Sequence, residues 1–421
     1  MTLKSLSLLI LIMCVAVGAQ AAGFNPDWLP ISGWVQPQGD KATLAAYKEM
    51  AESGLTLSMG HPSNIIEFGQ KAGLKMIIQD PRLYQAQVQN ETECDTLVDA
   101  VAAEFGNKPG VIGFMVRDEP SQPDFPRLAR ISKRLQEKVP GCVPFINLYP
   151  NTTSDWKNDP KLYEDDYVRR FVREVQPPVL CFDHYPLVEE TFDQLYYSNL
   201  ESIRRVTMEA GIPFWAFIQL TGYNKSREAT EAEMRLQVYS VLAYGGKGYS
   251  YFCYWDPGGD GLFKFEGGII SKDGQRTDHF ADAQRINKRA QALGKYLLGM
   301  RSTGVYHVGT IYKGCQPLPE DAVVRPKEGF VKPRFFYRTG QLIFGFFEDA
   351  KGEKWAMVVN RDYAHNVHTR FALSPKIAAL EEVAGPDWIG ADRLTPEGAD
   401  RLVALRFYPG DARLFRLVEA K

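Results

Sequence analysis

The sequence predicts an α/β protein: a (β/α)8 barrel followed by a small all-β, sandwich-like C-terminal domain. Three observations carry that prediction. Eight short apolar runs alternate with helical patterns over residues 22–301. From about Ser302 the pattern changes to short alternating runs separated by turn residues. Polar, ionisable and aromatic residues also gather at one end of the eight runs, whereas the other ends are mostly Gly, Pro and Lys.

The eight runs are Ile31–Gln36, Leu55–Met59, Leu74–Gln79, Val111–Val116, Val143–Leu148, Val179–Phe182, Pro213–Ile218 and Gly248–Tyr254. Between them, apolar residues recur three and four apart, as in Cys94–Phe105, Phe125–Lys138 and Phe192–Ala210, the spacing of a helix with one buried face. Gly54, Gly73, Gly211 and Gly245 close several of these patterns, as glycine does at helix C-termini. Eight strand–helix units are the signature of a closed barrel. A doubly wound open sheet would need a Gly-rich phosphate loop after its first strand, and ISGWVQP has none. Over residues 302–421, runs such as Phe335–Phe347, Lys354–Asn360, Val367–Leu373, Leu402–Phe407 and Ala412–Leu417 read as strands of a sandwich.

Composition narrows the function classes. The 421 residues are 45% hydrophobic and 24% charged, with a net charge of −2, so nothing points to nucleic acid or an anionic membrane surface. Lys4, the apolar stretch Leu6–Val17 and Ala19-Gln20-Ala21 read as an export signal over residues 1–21. The apolar stretch is too short to span a bilayer. The expected location is periplasmic or extracellular. Without Cys14, five cysteines remain, with no metal-ligand spacing among them. They read as small buried hydrophobes rather than a disulfide set or metal ligands. No metal and no cofactor is expected.

Barrel enzymes work at the C-terminal ends of their strands. In order, those ends carry Gln36; His61; Gln79-Asp80; Arg117-Asp118-Glu119-Pro120; Asn147 and Tyr149; Asp183-His184-Tyr185; Gln219; and Trp255-Asp256. Side chains alternate faces along a strand. On strand four, Gly113, Met115, Arg117 and Glu119 share one face, while the bulky Ile112, Phe114 and Val116 share the other with Asp118. Glu119 is therefore expected in the barrel mouth, with Asp118 behind or beside it. On strand six the small Val179 and Cys181 share a face with Asp183 and Tyr185, which directs Asp183 into the mouth as well.

Two carboxyls across a barrel mouth suffice for glycoside hydrolysis. One protonates the leaving oxygen, and the other attacks the anomeric carbon or activates water. The bland reading of Asp-Glu-Pro is a solvated turn. Its position at the tip of strand four favours chemistry.

Here the sequence resembles a family. GFMVRDEP on strand four, CFDHYP on strand six, PFWAFIQ on strand seven and GYSYFCYW on strand eight look like the (β/α)8 glycoside hydrolases of clan A. The resemblance is to the barrels of family 42 β-galactosidases and cellulase-like relatives. It extends over most of the mature chain, including AEMRLQVYSVLAYGGKG before strand eight and WAMVVNRD and YPGDARLFRL in the β-domain. It implies a carbohydrate substrate and an acid/base role for Glu119. It places Asp118 where an Asn is usual, Trp255 as the floor of the sugar site and Tyr185 beside the nucleophile. The departure is Gln219, where the clan carries its nucleophilic Glu. An amide cannot act as a carboxylate nucleophile. Three readings remain. Asp183 takes the role; a loop carboxylate (Asp256, Asp260 or Glu266) takes it; or the site binds sugar without cleaving it. The first is preferred.

The expected catalytic pair is thus Glu119 and Asp183. The expected substrate-contacting residues are Arg117, Asp118, Asp80, Asn147, Tyr185, Gln219 and Trp255. For Asp80 a plain turn role stands beside the binding role. His61 and His184 read as turn and structural groups, and Trp34, Tyr149, Trp215 and Tyr254 as core or platform. Nothing in the sequence indicates an oligomeric state.

Overall fold

The computed structural model describes residues 23–37, 39–156, 159–259, 264–332, 335–337, 340–383 and 391–420. The expected export segment and Asp260 lie outside the described residues. Eight parallel strands form the barrel: β1 (Ile31–Gly33), β2 (Leu57–Gly60), β3 (Lys75–Ile78), β4 (Val111–Asp118), β5 (Val143–Leu148), β6 (Leu180–Phe182), β7 (Phe214–Gln219) and β8 (Tyr249–Phe252). Their order around the sheet is β1-β8-β7-β6-β5-β4-β3-β2. Thr56 joins the two ends of that order. Its backbone N–H donates to Ile31 O at 2.9 Å, and Ile31 N donates to its Oγ1 at 2.9 Å.

The alternation along each strand splits the apolar residues into two cores. Leu57, Met59, Ile77, Met115, Val143, Phe145, Cys181, Trp215 and Phe217 fill the barrel interior. Phe114, Val116, Ile146, Leu148, Phe182, Phe214 and Ile218 face the helices. The interior is packed side chain rather than pore, as closed eight-stranded barrels require. Helices start where their sequence says. Asp80 caps Pro81–Ala86, Asn90 caps Glu91–Phe105, and Thr230 with Glu233 forms a capping box on Glu231–Ala243. The five described cysteines are free and buried. None of the described helices is long and apolar enough to cross a membrane.

The C-terminal domain is a sandwich of antiparallel sheets. Its strands are β9 (Arg301–Val308), β10 (Val324–Lys327), β11 (Leu342–Glu348), β12 (Lys354–Asn360), β13 (Val367–Leu373), β14 (Ile377–Val383), β15 (Ala391–Leu394), β16 (Leu402–Phe407) and β17 (Ala412–Glu419). One sheet runs β9-β11-β12-β17-β14-β15 and the other β10-β13-β16. Phe344 of the first meets Phe371 of the second at 5.4 Å between ring centres.

The barrel and sandwich share a core. Helix Glu231–Ala243 is buried nearly all round, which a helix tolerates only when it is packed on both sides. It lies between β7 and the six-stranded sheet, so close that a Cβ on Gly345 would sit 2.1 Å from Ala243 O. Nearby, His307 accepts from Arg361 Nη1 at Nδ1 (2.7 Å), and its Nε2 lies 2.7 Å from the Tyr244 hydroxyl. Burial first, and then the Arg361 charge, lower its pKa to about 3, so this imidazole is a neutral pin between the domains. Gly345→Ala is expected to cost several kcal/mol, in the range of overpacking and backbone displacement. A thermal melt checks this; an unchanged melting temperature would show that the junction yields freely.

Candidate active site

The site is built on the tips of β4, β5 and β6. Along β4 the register to β5 slips: Met115 pairs with Phe145, but Arg117 pairs with Ile146 and Asp118 with Asn147. One extra residue in the strand is a β-bulge, and it exchanges the faces beyond it. Asp118 therefore turns into the barrel mouth beside Asn147, contrary to the alternation read from sequence. Arg117 turns toward the helix layer, where its Nη1 donates to Gln87 Oε1 at 3.3 Å. This corrects the expectation that Arg117 faces the substrate.

Glu119 follows with φ +46°, a left-handed conformation uncommon for a residue with a side chain. Its N–H still donates to Asn147 O at 2.8 Å, so the turn is anchored to β5. The bulge and this turn together bring two consecutive carboxyls to one mouth. Two buried tyrosines fix the tips from behind. The Tyr167 hydroxyl donates to Pro120 O (2.6 Å) and accepts from Tyr149 N (3.3 Å), while the Tyr163 hydroxyl donates to Tyr149 O (2.8 Å). Both come from a π-helical segment, Tyr163–Val168, a distortion that often accompanies functional sites.

Asp183 stands at the end of β6, only 5% exposed. Next to it His184 faces the other way, with Nδ1 3.0 Å from Asn199 Oδ1 and Nε2 3.1 Å from Asp193 Oδ2. That bracing from the helix Leu195–Ala210 side holds the β6 tip with Asp183 inward. Asn147 is the hub. Its Nδ2 donates to Asp183 Oδ2 at 2.8 Å and to Asp118 Oδ1 at 3.0 Å. Asp183 Oδ1 is buried with no donor against it. The Glu119 carboxyl is its neighbour in the mouth, close enough that each shifts the other's titration.

Two neighbouring buried carboxyls resist ionising together, because each negative charge disfavours the other. Burial, and then the charge of Asp118, raise Glu119 to about 7. Burial followed by the charges of Glu119 and Asp118 pushes Asp183 well above the carboxylate range. Asp118 is also raised by burial, with the Asn147 hydrogen bond and Arg117 opposing; it is the most exposed of the three, ahead of the partly exposed Glu119 and the buried Asp183. The arrangement holds a proton available near neutral pH beside the carboxyl of the exposed Asp118.

An aromatic wall faces this polar side. Tyr185 packs on Phe252 (4.9 Å) and Tyr223 (5.9 Å), and Phe265 lies 5.8 Å from Tyr223. All four rings are half-buried. Asp183 raises the pKa of both tyrosines, after burial as the larger cause, which places the wall beside the carboxyl pair. Tyr223, Phe252 and Phe265 were not expected from sequence. Tyr223 and Phe265 reach the mouth through a small antiparallel pairing, Gly222–Tyr223 with Phe265–Glu266, whose partners are far apart in the chain. Tyr84, also unexpected, has its pKa raised by burial, and it also feels the charges of Asp118 and Arg117.

Three further expectations are corrected. Asp80 is 4% exposed and its carboxylate is spent on Arg82, with Oδ1 accepting from Nε and the backbone N (both 2.9 Å) and Oδ2 from Nη2 (2.8 Å). Burial would raise its pKa, but the Arg82 bonds hold it below the usual value. It is a helix cap and ion pair. Gln219 is 0% exposed. Its Oε1 accepts from Leu187 N (2.7 Å), and its Nε2 donates to Leu187 O (3.1 Å) and Arg227 O (2.9 Å). The amide ties two loops together, and with both N–H donors spent and no exposure it is closed to a ligand. Trp255 is 7% exposed and packs with the helix-side core under Gly274 and Lys41. It forms no floor to the mouth. Of the loop carboxylates, Asp256 Oδ1 accepts from Gly258 N at 2.8 Å and Glu266 pairs with Lys264. Among the described residues no group of three or more His, Cys, Asp or Glu is arranged to hold a metal ion.

A cavity of about 310 Å³ opens at the other end of the barrel, around Met208, Pro213 and Lys247. None of the three mouth carboxyls borders it.

No family model matches the chain, and no curated protein matches it in sequence. Its fold does match solved structures. A β-galactosidase from Bacillus circulans sp. alkalophilus superposes with a TM-score of 0.57 at 10% identity, covering 90% of this chain and 99% of that one. A glycoside hydrolase family 5 protein from Bacteroides vulgatus gives 0.53 at 14% identity, over 93% and 88%. A β-galactosidase from the psychrophilic Marinomonas ef1 gives 0.50 at 12% identity, over 65% of this chain and 62% of its own length. What is shared at these identities is the fold: a (β/α)8 barrel of the kind found in these glycoside hydrolases.

Proposed function

We propose that this protein is a glycoside hydrolase acting on an oligosaccharide or polysaccharide, with Glu119 as the group that delivers the proton to the leaving oxygen. One observation carries the reading: Glu119 lies beside the buried Asp183 at the C-terminal mouth of a barrel, where burial and then the Asp118 charge raise its pKa to about 7. Protonation of the leaving group requires an acid that is still protonated near the working pH, and Glu119 supplies one. The aromatic wall adds flat apolar faces next to the acid, suited to the faces of sugar rings.

The experiment is a panel of aryl glycosides and oligosaccharides incubated with the mature chain, with products resolved by chromatography. Turnover of at least one glycoside is expected. Calorimetric binding of sugars without any product would favour the second reading, a carbohydrate-binding protein on a barrel that no longer cleaves. That reading draws on the locked amide of Gln219 at the tip of β7. Replacing Tyr223 or Phe265 with Ala is expected to lower kcat/KM on an oligosaccharide about fivefold, from the ~1 kcal/mol of an aromatic contact. An unchanged kcat/KM in both would remove the wall from the substrate path. Export rests on the leader-like residues 1–21. N-terminal sequencing of the native protein that finds Met1 retained would discount it.

A further inference from the structure

Glycoside hydrolysis needs a second carboxylate facing the anomeric carbon, and the expected candidates are engaged elsewhere. Position 219 is an amide consumed by three hydrogen bonds to the backbone. Asp183 is buried, with Oδ2 accepting from Asn147 at 2.8 Å, so it is closed to a sugar carbon. Asp118 differs from both. The β-bulge turns it into the mouth, the amide that holds Asp183 also holds its Oδ1, and the residue is exposed where Asp183 is buried.

We propose that Asp118 is the nucleophile, a role that rests on the glycosidase reading above. An Asp118 carboxylate oxygen bonds to the anomeric carbon as the bond from that carbon to the leaving oxygen breaks. The leaving oxygen takes the proton held by Glu119. Water then attacks the same carbon and gives a proton back to Glu119. The Asp118–carbon bond breaks, releasing the carboxylate and a sugar of retained configuration. Asn147 is the positioning residue, since its one amide group sets both Asp118 and Asp183.

The test uses the 2-deoxy-2-fluoro analogue of whichever aryl glycoside the wild-type protein hydrolyses best, carrying a good leaving group. The wild type should be inactivated with a mass gain of one fluorosugar. Fragmentation of the tryptic peptide Asp118–Arg127 should place the label on Asp118. Asp118→Asn keeps the side chain's size and its ability to bind a sugar hydroxyl, yet should lose at least about a thousandfold in turnover, as nucleophile removal does, and take no label. A label on Asp183, or Asp118→Asn within tenfold of wild type while Glu119→Gln is inactive, overturns this assignment and leaves the glycosidase reading standing. A wild type that turns over no glycoside overturns both.

Discussion

Glu119→Gln is expected to reduce glycoside turnover by about 10²–10⁴-fold, the usual range for loss of a general acid. The loss should be smallest for substrates whose leaving group departs without protonation, so an activated aryl glycoside should retain more activity than an oligosaccharide. The pH profile gives an independent check. Wild-type turnover should decline as pH rises through about 7, where Glu119 gives up its proton, and the variant should lack that limb. Stability follows the same linkage. The folded protein holds a proton at Glu119 that the unfolded chain releases near the ordinary value of 4.5. Its contribution is therefore complete below 4.5 and lost as pH rises through about 7. Glutamine cannot ionise, so the melting temperature of the variant should gain on wild type across that window. A profile unchanged by the substitution would separate Glu119 from the chemistry.

Gln219→Glu tests the other unusual position. It installs the carboxylate that the clan resemblance leads one to expect on strand seven. If the tip of β7 were an empty nucleophile site, the change would raise activity at little cost. The structure predicts the reverse. Nε2 donates to Leu187 O and Arg227 O in a fully buried setting. A carboxylate oxygen there would face two carbonyl oxygens and orphan that of Arg227, while Leu187 O keeps the Arg227 N–H at 3.1 Å. An orphaned buried group costs about 1–3 kcal/mol, and burying the new charge adds to that. A loss on the order of 3 kcal/mol or more is expected, with no gain in turnover. The anchored loops carry the Leu187 and Tyr223 side of the mouth, so weaker substrate binding should accompany it. A variant as stable as wild type and more active would defeat this account of Gln219.

The barrel was legible because its signals are local and repeated. Eight apolar runs, the helical spacings between them and the glycines that close several helices each depend on a few neighbouring residues. The gathering of polar groups at the strand tips was legible for the same reason, and it picked out Glu119, Asn147 and Asp183 as neighbours in the mouth. Face alternation along β6 also directed Asp183 inward and His184 outward. What failed, failed at the tips. Alternation holds only while the ladder stays in register, and the slip after Met115 exchanged the faces of Arg117 and Asp118. Trp255 lies just beyond β8, where no periodicity tells an aromatic platform from a buried packing residue.

The sequence by itself determined the chemistry available to this protein: a barrel whose active end carries Asp118, Glu119 and Asp183, and an amide where a nucleophile is usual. Only the tertiary structure decided how those groups are shared out. Whether a buried polar side chain is free for a ligand depends on which partners reach it, and those partners come from distant parts of the chain. Arg82 takes Asp80, the loops at Leu187 and Arg227 take Gln219, and Asn147 takes Asp183. Asp118 is left exposed because a single bulge, a feature of pairing between strands rather than of one strand's residues, turns it into the mouth.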